Sequence, residues 1–337
     1  MSQLKFIGSI TTISPVAISL PNLKGTMPRN THNSVLIPAT SIRGLFRHSA
    51  HFALTKLLEE NKEFLTVDQH YMLSSGVDTA RKLKLGGGYE TIGKNIDIRK
   101  KNPLISLFGN FTIAGNLKIG NAVSTPNEEV VISMGNGSRN HVFNRNAEMI
   151  NFVKEDELTY LQDVMKADAI ASLQLSEIKS EIAKLQKANK TATPEEKKLN
   201  LEKIDELNEQ TRSTKDARVG ASEAILRPLD GFECIDEGVT LSHRMRLNNA
   251  SKNELNFFLW VLFKVGAQFN LGGHENLGCG EVKGEWTVTE TSFESVKPKK
   301  IGTITIDDEG TNITGFDFDY EEMEKFILDG GFDFTTY

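Results

Sequence analysis

The sequence predicts an α+β fold whose core is built from segments that lie far apart in the chain. Strand-like stretches rich in Ile, Val and Thr occur near the beginning, at 4–20, and again near the end, at 280–290. Two apolar stretches with helical spacing, 41–57 and 251–269, lie between them. A highly charged stretch, 152–217, separates the two halves of this pattern. The elements outside that stretch therefore define the fold.

The first part of the chain predicts strand, helix and basic loop in turn. Residues 4–20 alternate between apolar and polar, as one or two strands do. Ser41 begins a helix, and Arg43 and Arg47 lie one turn apart on a face separate from its apolar residues. Residues 61–104 are predicted to form an irregular insertion, because many Lys and Arg residues surround a Gly-Gly-Gly sequence.

The middle of the chain predicts two short strands and then a helical hairpin. The strands are predicted at 116–124 and 128–134. Within 152–217, Ala171, Leu175, Ile178, Ile182 and Leu185 are spaced like the seam of a coiled coil. Thr193 to Glu196 has the form of a capping box with Pro at the first helical position. The segment therefore predicts two antiparallel helices inserted into another domain.

The last part completes a ferredoxin-like (RRM-like) order. A strand is predicted within 232–247, an apolar helix at 251–269, and a strand at 280–290. Without the hairpin the order is β–α–ββ–β–α–β, which is typical of an antiparallel sheet with two helices on one face. We call this domain the palm. The predicted divisions are a discontinuous palm at 1–60, 105–150 and 218–300, a basic finger or loop insertion at 61–104, a thumb region at 135–232 containing the 152–217 hairpin, and an acidic C-terminal tail at 301–337.

Charge is unevenly distributed along the 337 residues. The formal net charge is −6, yet residues 1–58 contain no Asp or Glu, whereas 301–337 contain ten acidic residues and one Lys. A basic half on a net-acidic chain is typical of a surface that binds a polyanion. Two cysteines make neither a disulfide framework nor a CxxC metal pair, and no signal peptide or membrane span is apparent. We expect a cytoplasmic protein that needs no cofactor and no metal.

A glycine-rich stretch, LGGHENLGCGEV at 271–282, lies between the predicted last helix and last strand. It lacks the lysine of a Walker A loop, and it follows a helix instead of preceding one, so neither nucleotide-binding loop fits. Two interpretations remain open. The glycines either shape a tight turn, or they let bare backbone approach the phosphates of an extended polymer, with His274 beside them.

Five segments together resemble one family. LIPATSIRGLFRH at 36–48, LFGNFTIAGNLKIGNAV at 107–123, NHVFNRNAE at 140–148 and FECIDEGVTLSHRMRL at 232–247 occur in this order before the glycine-rich stretch. In this order they resemble the RAMP superfamily of CRISPR effector complexes. The resemblance is to the backbone subunit (the group 7 Cas family), closest to the type IV backbone, with type III as the second choice.

The resemblance implies a subunit that polymerises along guide RNA (crRNA) and binds its phosphates without reading its sequence. The implied partners are the guide RNA, neighbouring copies of the chain, other CRISPR effector subunits and, through the guide, the target nucleic acid; no membrane is implied. The predicted RNA contacts are Arg29, His32, Ser41, Arg43, Arg47, Lys82, Lys84, Asn140, His141, Arg145, Arg227, Gly272, Gly273 and His274.

We predict no catalytic residue and no target cleavage. Type III backbones carry a cleaving aspartate in the loop that corresponds to 21–37, and that loop has no carboxylate here. Two alternatives remain open: a metal-independent ribonuclease of the RAMP type using His32, His48 or His274, and a non-catalytic interaction scaffold. His48 and His51 have the spacing of metal ligands, but no third ligand lies nearby in the sequence.

Overall fold

The structure is a computed structural model, and it describes residues 2–18, 25–79, 89–135, 137–138, 154–189, 192–216, 228–229, 231–292 and 297–337. Its contacts divide the chain into two compact units. The first unit comprises residues 1–134 and 232–337, and the second comprises 135–231. Within the described residues, helices and antiparallel strands coexist, which confirms the α+β class. None of the described helices is long and apolar enough to span a membrane.

The elements of the two units are numbered here in chain order. The strands are β1 (Ser2–Thr12), β2 (Leu36–Ile37), β3 (Leu117–Ile119), β4 (Ala122–Val123), β5 (Val131–Met134), β6 (Gly137–Ser138), β7 (Pro228–Leu229), β8 (Phe232–Ile235), β9 (Thr240–Asn248), β10 (Val282–Ser292), β11 (Lys299–Asp307) and β12 (Gly310–Thr314). The helices are α1 (Ala39–Glu60), α2 (Val67–Ser75), α3 (Tyr89–Lys101), α4 (Pro103–Phe108), α5 (Glu155–Ala188), α6 (Pro194–Asp216), α7 (Lys252–Gly266) and α8 (Tyr320–Leu328).

The first unit is built on one antiparallel sheet. Its strand order is β12-β11-β10-β1-β9-β4-β2, and β3 also pairs with β9. Exposed and buried residues alternate along β9, because successive side chains point to opposite faces of a sheet. One face is therefore packed against the core, and we call the opposite, solvent-exposed face the outer face.

The core lies between the inner face of the sheet and helices α1 and α7. Phe6 of β1 meets Phe258 of α7 edge to face, with ring centroids 5.5 Å apart. Nearly all of the centre of α7 is buried, in keeping with its apolar sequence. The helix begins at a capping box in which Ser251 and Glu254 satisfy each other's backbone N–H groups.

The segment 301–337, predicted as an acidic C-terminal tail, is folded as part of the first unit. Strands β11 and β12 extend the sheet, and α8 packs beside α7. The buried rings of Phe332 and Phe334 lie against Phe257. Eight of the ten acidic residues are exposed, so net charge did not indicate whether the segment folds.

The second unit contains two helices in the segment where a hairpin is predicted. Asn200 of α6 donates a hydrogen bond to Asn189 at 2.8 Å, and Lys203 lies 3.3 Å from Glu181 of α5. These pairs show that α6 runs back along α5. Helix α6 begins at Pro194, as the sequence predicts. The strands β6 and β7 pair with each other in this unit.

Candidate nucleic-acid interface

The glycine-rich stretch is a loop docked on the residues that follow β1. Gly272 has a φ of +96°, and a Cβ at this position would lie 2.2 Å from the carbonyl oxygen of Ala17. The N–H of Gly273 donates to the same oxygen at 2.9 Å, and the N–H of Gly280 donates to Pro15 at 2.9 Å. Only glycine fits at position 272. The backbone of the loop thus packs closely against residues 15–17, while its residues 272–278 are exposed to solvent.

His274 is held by a stacking contact that the sequence does not indicate. Its φ is +64°, and its ring lies parallel to the ring of Phe232 in β8, with centroids 3.9 Å apart. One face of the imidazole is therefore covered, while the residue as a whole stays exposed. Phe232 also packs with the buried Cys234 and Cys279. Burial raises the pKa of Cys234 to about 11, so this thiol stays protonated at neutral pH.

Arg29 and His32 lie in a turn that contacts β8, and β8 in turn contacts the glycine loop. The Oδ1 of Asn30 accepts from the N–H groups of His32 and Ser34, both at 2.9 Å. Arg29 makes an ion pair with Glu233 at 3.1 Å. Glu233 is the chain neighbour of the phenylalanine that stacks on the loop histidine. Arg29 is thus partly neutralised, whereas His32 remains exposed.

The first turn of α1 lies at the same end of the sheet. Strand β2 leads into α1 and pairs with β4, which meets β9 at Ser242. The N-cap residue, Pro38, offers no side-chain cap, and the first turn of the helix holds no acidic residue. The N–H of Ala39 donates to Asn121 at 2.8 Å, and Ser41 follows in the same turn. An N-terminus without a carboxylate has a partial positive charge that favours an anion.

Arg43 and Arg47 do not lie on an open helix face, and this corrects their placement from sequence. Arg47 is buried, and it donates to the carbonyl oxygens of Leu73 at 2.6 Å and Met72 at 2.7 Å at the end of α2. Burial, and then the charge of Arg43, lower the pKa of Arg47 to about 10. Arg43 is half-buried and donates to Leu117 at 3.1 Å. Phosphate binding by either arginine stays a prediction.

The remaining predicted contacts lie outside the described residues. They are Lys82, Lys84, Asn140, His141, Arg145 and Arg227.

Of His48 and His51, whose spacing resembles that of metal ligands, His51 contacts a different histidine. His51 shares a hydrogen bond with His70, Nε2 to Nδ1, at 2.9 Å. Burial, the charge of His70 and then that of His48 lower the pKa of His51 to about 4. Among the residues that the structure describes, no three His, Cys, Asp or Glu side chains come together as metal ligands.

The sequence reasoning missed a set of cations on the outer face of the sheet. Lys5 on β1, Arg246 on β9 and Lys118 on β3 are directly opposite one another in the strand register. Arg244 lies two residues from Arg246 on the same face. The signal available in the sequence was a basic residue at alternate strand positions, which predicts one shared face. Only the register shows that the strands adjoin.

Comparisons with known proteins identify the family. The sequence model of the RAMP superfamily matches residues 9–283, which is most of the chain. The chain therefore belongs to the RAMP superfamily, and the resemblance noted from the sequence is confirmed. Among solved structures, the chain is similar to a chain of a Type IV-B CRISPR complex, with a TM-score of 0.40 and 13% sequence identity. The match covers 88% of this chain and 93% of that chain. No curated protein sequence matches.

Proposed function

We propose that this RAMP protein is the guide-RNA-binding backbone subunit of a CRISPR ribonucleoprotein. The observation that carries the proposal is the exposed glycine loop with His274 held on Phe232, at the sheet end near which α1 begins without an acidic residue in its first turn. Backbone N–H groups, a helix N-terminus and hydroxyls are the groups that bind phosphate without reading sequence. Arg29, His32, Ser41 and the loop residues Gly272 to His274 are the described residues assigned to this site.

The domain assignments form part of the same proposal. The strand order β10-β1-β9-β3, with α1 and α7 on the inner face, supports a ferredoxin-like palm. We assign residues 61–104 to a basic finger and 135–232 to a thumb that carries the helical hairpin. In this arrangement copies polymerise along the guide in the cytoplasm, bind other effector subunits, and present the guide to its target without a cofactor.

Binding without cleavage is the expected activity. The segment 21–37, before α1, contains no Asp or Glu that could act as a general base or bind a metal. Amide side chains such as Asn30 and Asn33 cannot take either role. The burial that raises the pKa of Cys234 also argues against a thiolate nucleophile near the loop.

The test is to express the chain in cells with a CRISPR transcript, purify it, and sequence the RNA that co-purifies. We expect ribonuclease-sensitive assemblies much larger than a monomer, which hold RNA of uniform length. His274→Ala should weaken RNA binding, whereas His48→Ala, an exposed histidine on α1, should not. A small RNA-free particle would favour the scaffold. Cutting of a repeat hairpin in EDTA, lost in His274→Ala, would favour the ribonuclease.

A further inference from the structure

The outer face of the sheet carries a row of cations without counter-charges. Lys5 lies opposite Arg246, and Arg246 lies opposite Lys118, on three neighbouring strands. On the other side of Lys5 the row continues through Thr289 to Lys300. Neighbouring strands are about 4.8 Å apart, and like charges placed directly opposite each other destabilise a sheet. In the free protein this row is therefore an electrostatic cost that an anion would relieve.

The charge of the whole outer face is strongly one-sided. The outward positions of β1, β3, β9, β10 and β11 hold six cations, which are Lys5, Lys118, Arg244, Arg246, Lys283 and Lys300. The same positions hold two carboxylates, Glu285, which lies opposite Ser9, and Asp307, which lies at the end of β11 next to Lys283 and away from the row of Lys5, Arg246 and Lys118. None of the six cations makes an ion pair with a residue that the structure describes. This concentration occurs on a chain whose net charge is −6.

The shape and the neutral residues of the face also indicate its occupant. Lys5, Ile7, Lys118, Arg244 and Arg246 line a shallow groove of about 470 Å³. Ile7 is 57% exposed between the cations. Threonine hydroxyls fill many of the other outward positions of β10 and β11. Cations and hydroxyls around one small apolar residue suit the phosphates and a sugar of a polynucleotide strand.

A protein partner suits this face less well. The cores of protein–protein interfaces are depleted of charged residues and enriched in aromatic ones. Here the central positions are Lys and Arg, and the described outward positions of these strands hold no aromatic ring. Interfaces with nucleic acids are much more positively charged than those with proteins.

We propose that the outer face is a second nucleic-acid-binding surface, which holds the phosphates of a single strand through Lys5, Lys118, Arg244 and Arg246. It is separate from the glycine loop, because the loop docks beyond Thr12. Lys5 lies seven residues before that end of β1, or roughly 23 Å at the rise of a strand. The binding is independent of sequence, because no described side chain on the face offers an aromatic platform for a base.

The test measures the affinity of the full chain for a fluorescent 30-nucleotide oligo(U) RNA at several salt concentrations. The variant is Lys118→Gln with Arg246→Gln. The matched control is Lys56→Gln with Lys325→Gln, two exposed cations outside the sheet, which lowers the charge equally. Each lost phosphate contact on a single strand lowers the salt slope by about 0.7. The outer-face variant should thus lose about 1.4 from the slope and bind about 25-fold more weakly at 0.1 M salt.

The control should keep the slope and affinity of the natural chain. The urea midpoints of both variants should match or exceed that of the natural chain, so that loss of binding is not loss of folding. An oligo(dT) strand of the same length should lose the same factor as the RNA if the face reads phosphates alone. A loss confined to the RNA would show that the ribose 2′-hydroxyl is also bound.

Three results would overturn the proposal. The first is an outer-face variant with the same slope as the control. The second is an equal loss in both variants. The third is a variant that keeps RNA binding but loses self-association in sedimentation at low salt, which would make the face a protein interface. If the natural chain binds no nucleic acid at all, the proposed function fails as well. If the natural chain binds RNA and the outer-face variant binds it with the same affinity and salt slope, this inference alone fails.

Discussion

Replacing Arg47 with Met tests whether this arginine stabilises the fold or binds RNA. Its guanidinium donates to two carbonyl oxygens at the end of α2, and hydrogen bonds from a charged donor contribute about 1.5–3 kcal/mol each. The two bonds thus stabilise the folded state by roughly 3–6 kcal/mol. Burial, and then the charge of Arg43, oppose this, because lowering the pKa from 12.5 to about 10 corresponds to a cost of about 3 kcal/mol.

The hydrogen bonds outweigh the burial cost, so Arg47→Met should lower the free energy of unfolding by about 2 kcal/mol. Methionine keeps most of the apolar contact of the arginine stem, so that the loss reports the polar contacts. The assay is urea unfolding followed by circular dichroism, with Lys56→Met on the exposed side of α1 as the control. The control should leave the midpoint unchanged.

RNA binding decides between the two roles of Arg47. If the arginine is structural, the folded Arg47→Met protein should keep the salt slope of the natural chain. An unchanged urea midpoint together with a slope lower by about 0.7 would refute the reasoning. In that case the sequence-based assignment of Arg47 to phosphate binding would be correct.

Three further changes test other parts of the first unit. His243 accepts a hydrogen bond from Trp286, and burial lowers the pKa of His243 to about 4. Below pH 6.5 the unfolded chain therefore takes up a proton at this histidine that the folded chain does not take up until about pH 4. The free energy of unfolding thus falls by on the order of 3 kcal/mol as the pH drops from 6.5 to 4. Urea midpoints at pH 7 and 4.5 should differ less in His243→Gln than in the natural chain; an equal difference would exclude this histidine as the cause. Gly272→Ala should lower stability by about 1–3 kcal/mol, whereas Gly273→Ala, with open space around its Cβ, should be nearly neutral; equal melting temperatures would contradict the loop geometry. Phe334→Ala should cost about 3–5 kcal/mol in urea unfolding, and a cost near zero would show that the C-terminal segment does not pack on the first unit.

The regular elements of the palm could be predicted because their hydrophobic pattern is local. Helix α7 has a capping box at Ser251 followed by a long apolar run, and both features lie within one stretch of sequence. The same holds for α6, where Pro194 marks the first turn. Patterns of this kind need no knowledge of what packs against the element.

The roles of individual arginines could not be predicted, because they depend on a neighbouring element. Arg47 lies beside the buried Phe46 on α1, at the border of the apolar face. Whether that border is open depends on α2, a helix of nine residues inside a stretch that the sequence predicts to be irregular. Likewise, the stacking of His274 on Phe232 joins residues that are distant in sequence, and no periodicity connects them.

The C-terminal segment shows how net charge can mislead. Ile304 and Ile306 are spaced by two, which is the period of a half-buried strand, and both are buried. The ten acidic residues of the segment favour the prediction of an acidic tail. Eight of these ten acidic residues are exposed, and exposed charges cost little in folding.

The distribution of charge in space differs from its distribution along the chain, and this bears on where nucleic acid can bind. The acid-free N-terminal stretch suggested a polyanion site, yet its Arg43 and Arg47 donate to backbone carbonyls and its Arg29 is paired with an acid. Of that stretch, Lys5 joins the unpaired row on the outer face. The neighbouring cations in that row are Arg246 on β9 and Lys118 on β3, and antiparallel pairing places β9 between β1 and β3. We therefore expect a polyanion to bind where the strand register places cations side by side. The charge counted along the sequence indicates the class of ligand, but it does not indicate where on the fold the ligand binds.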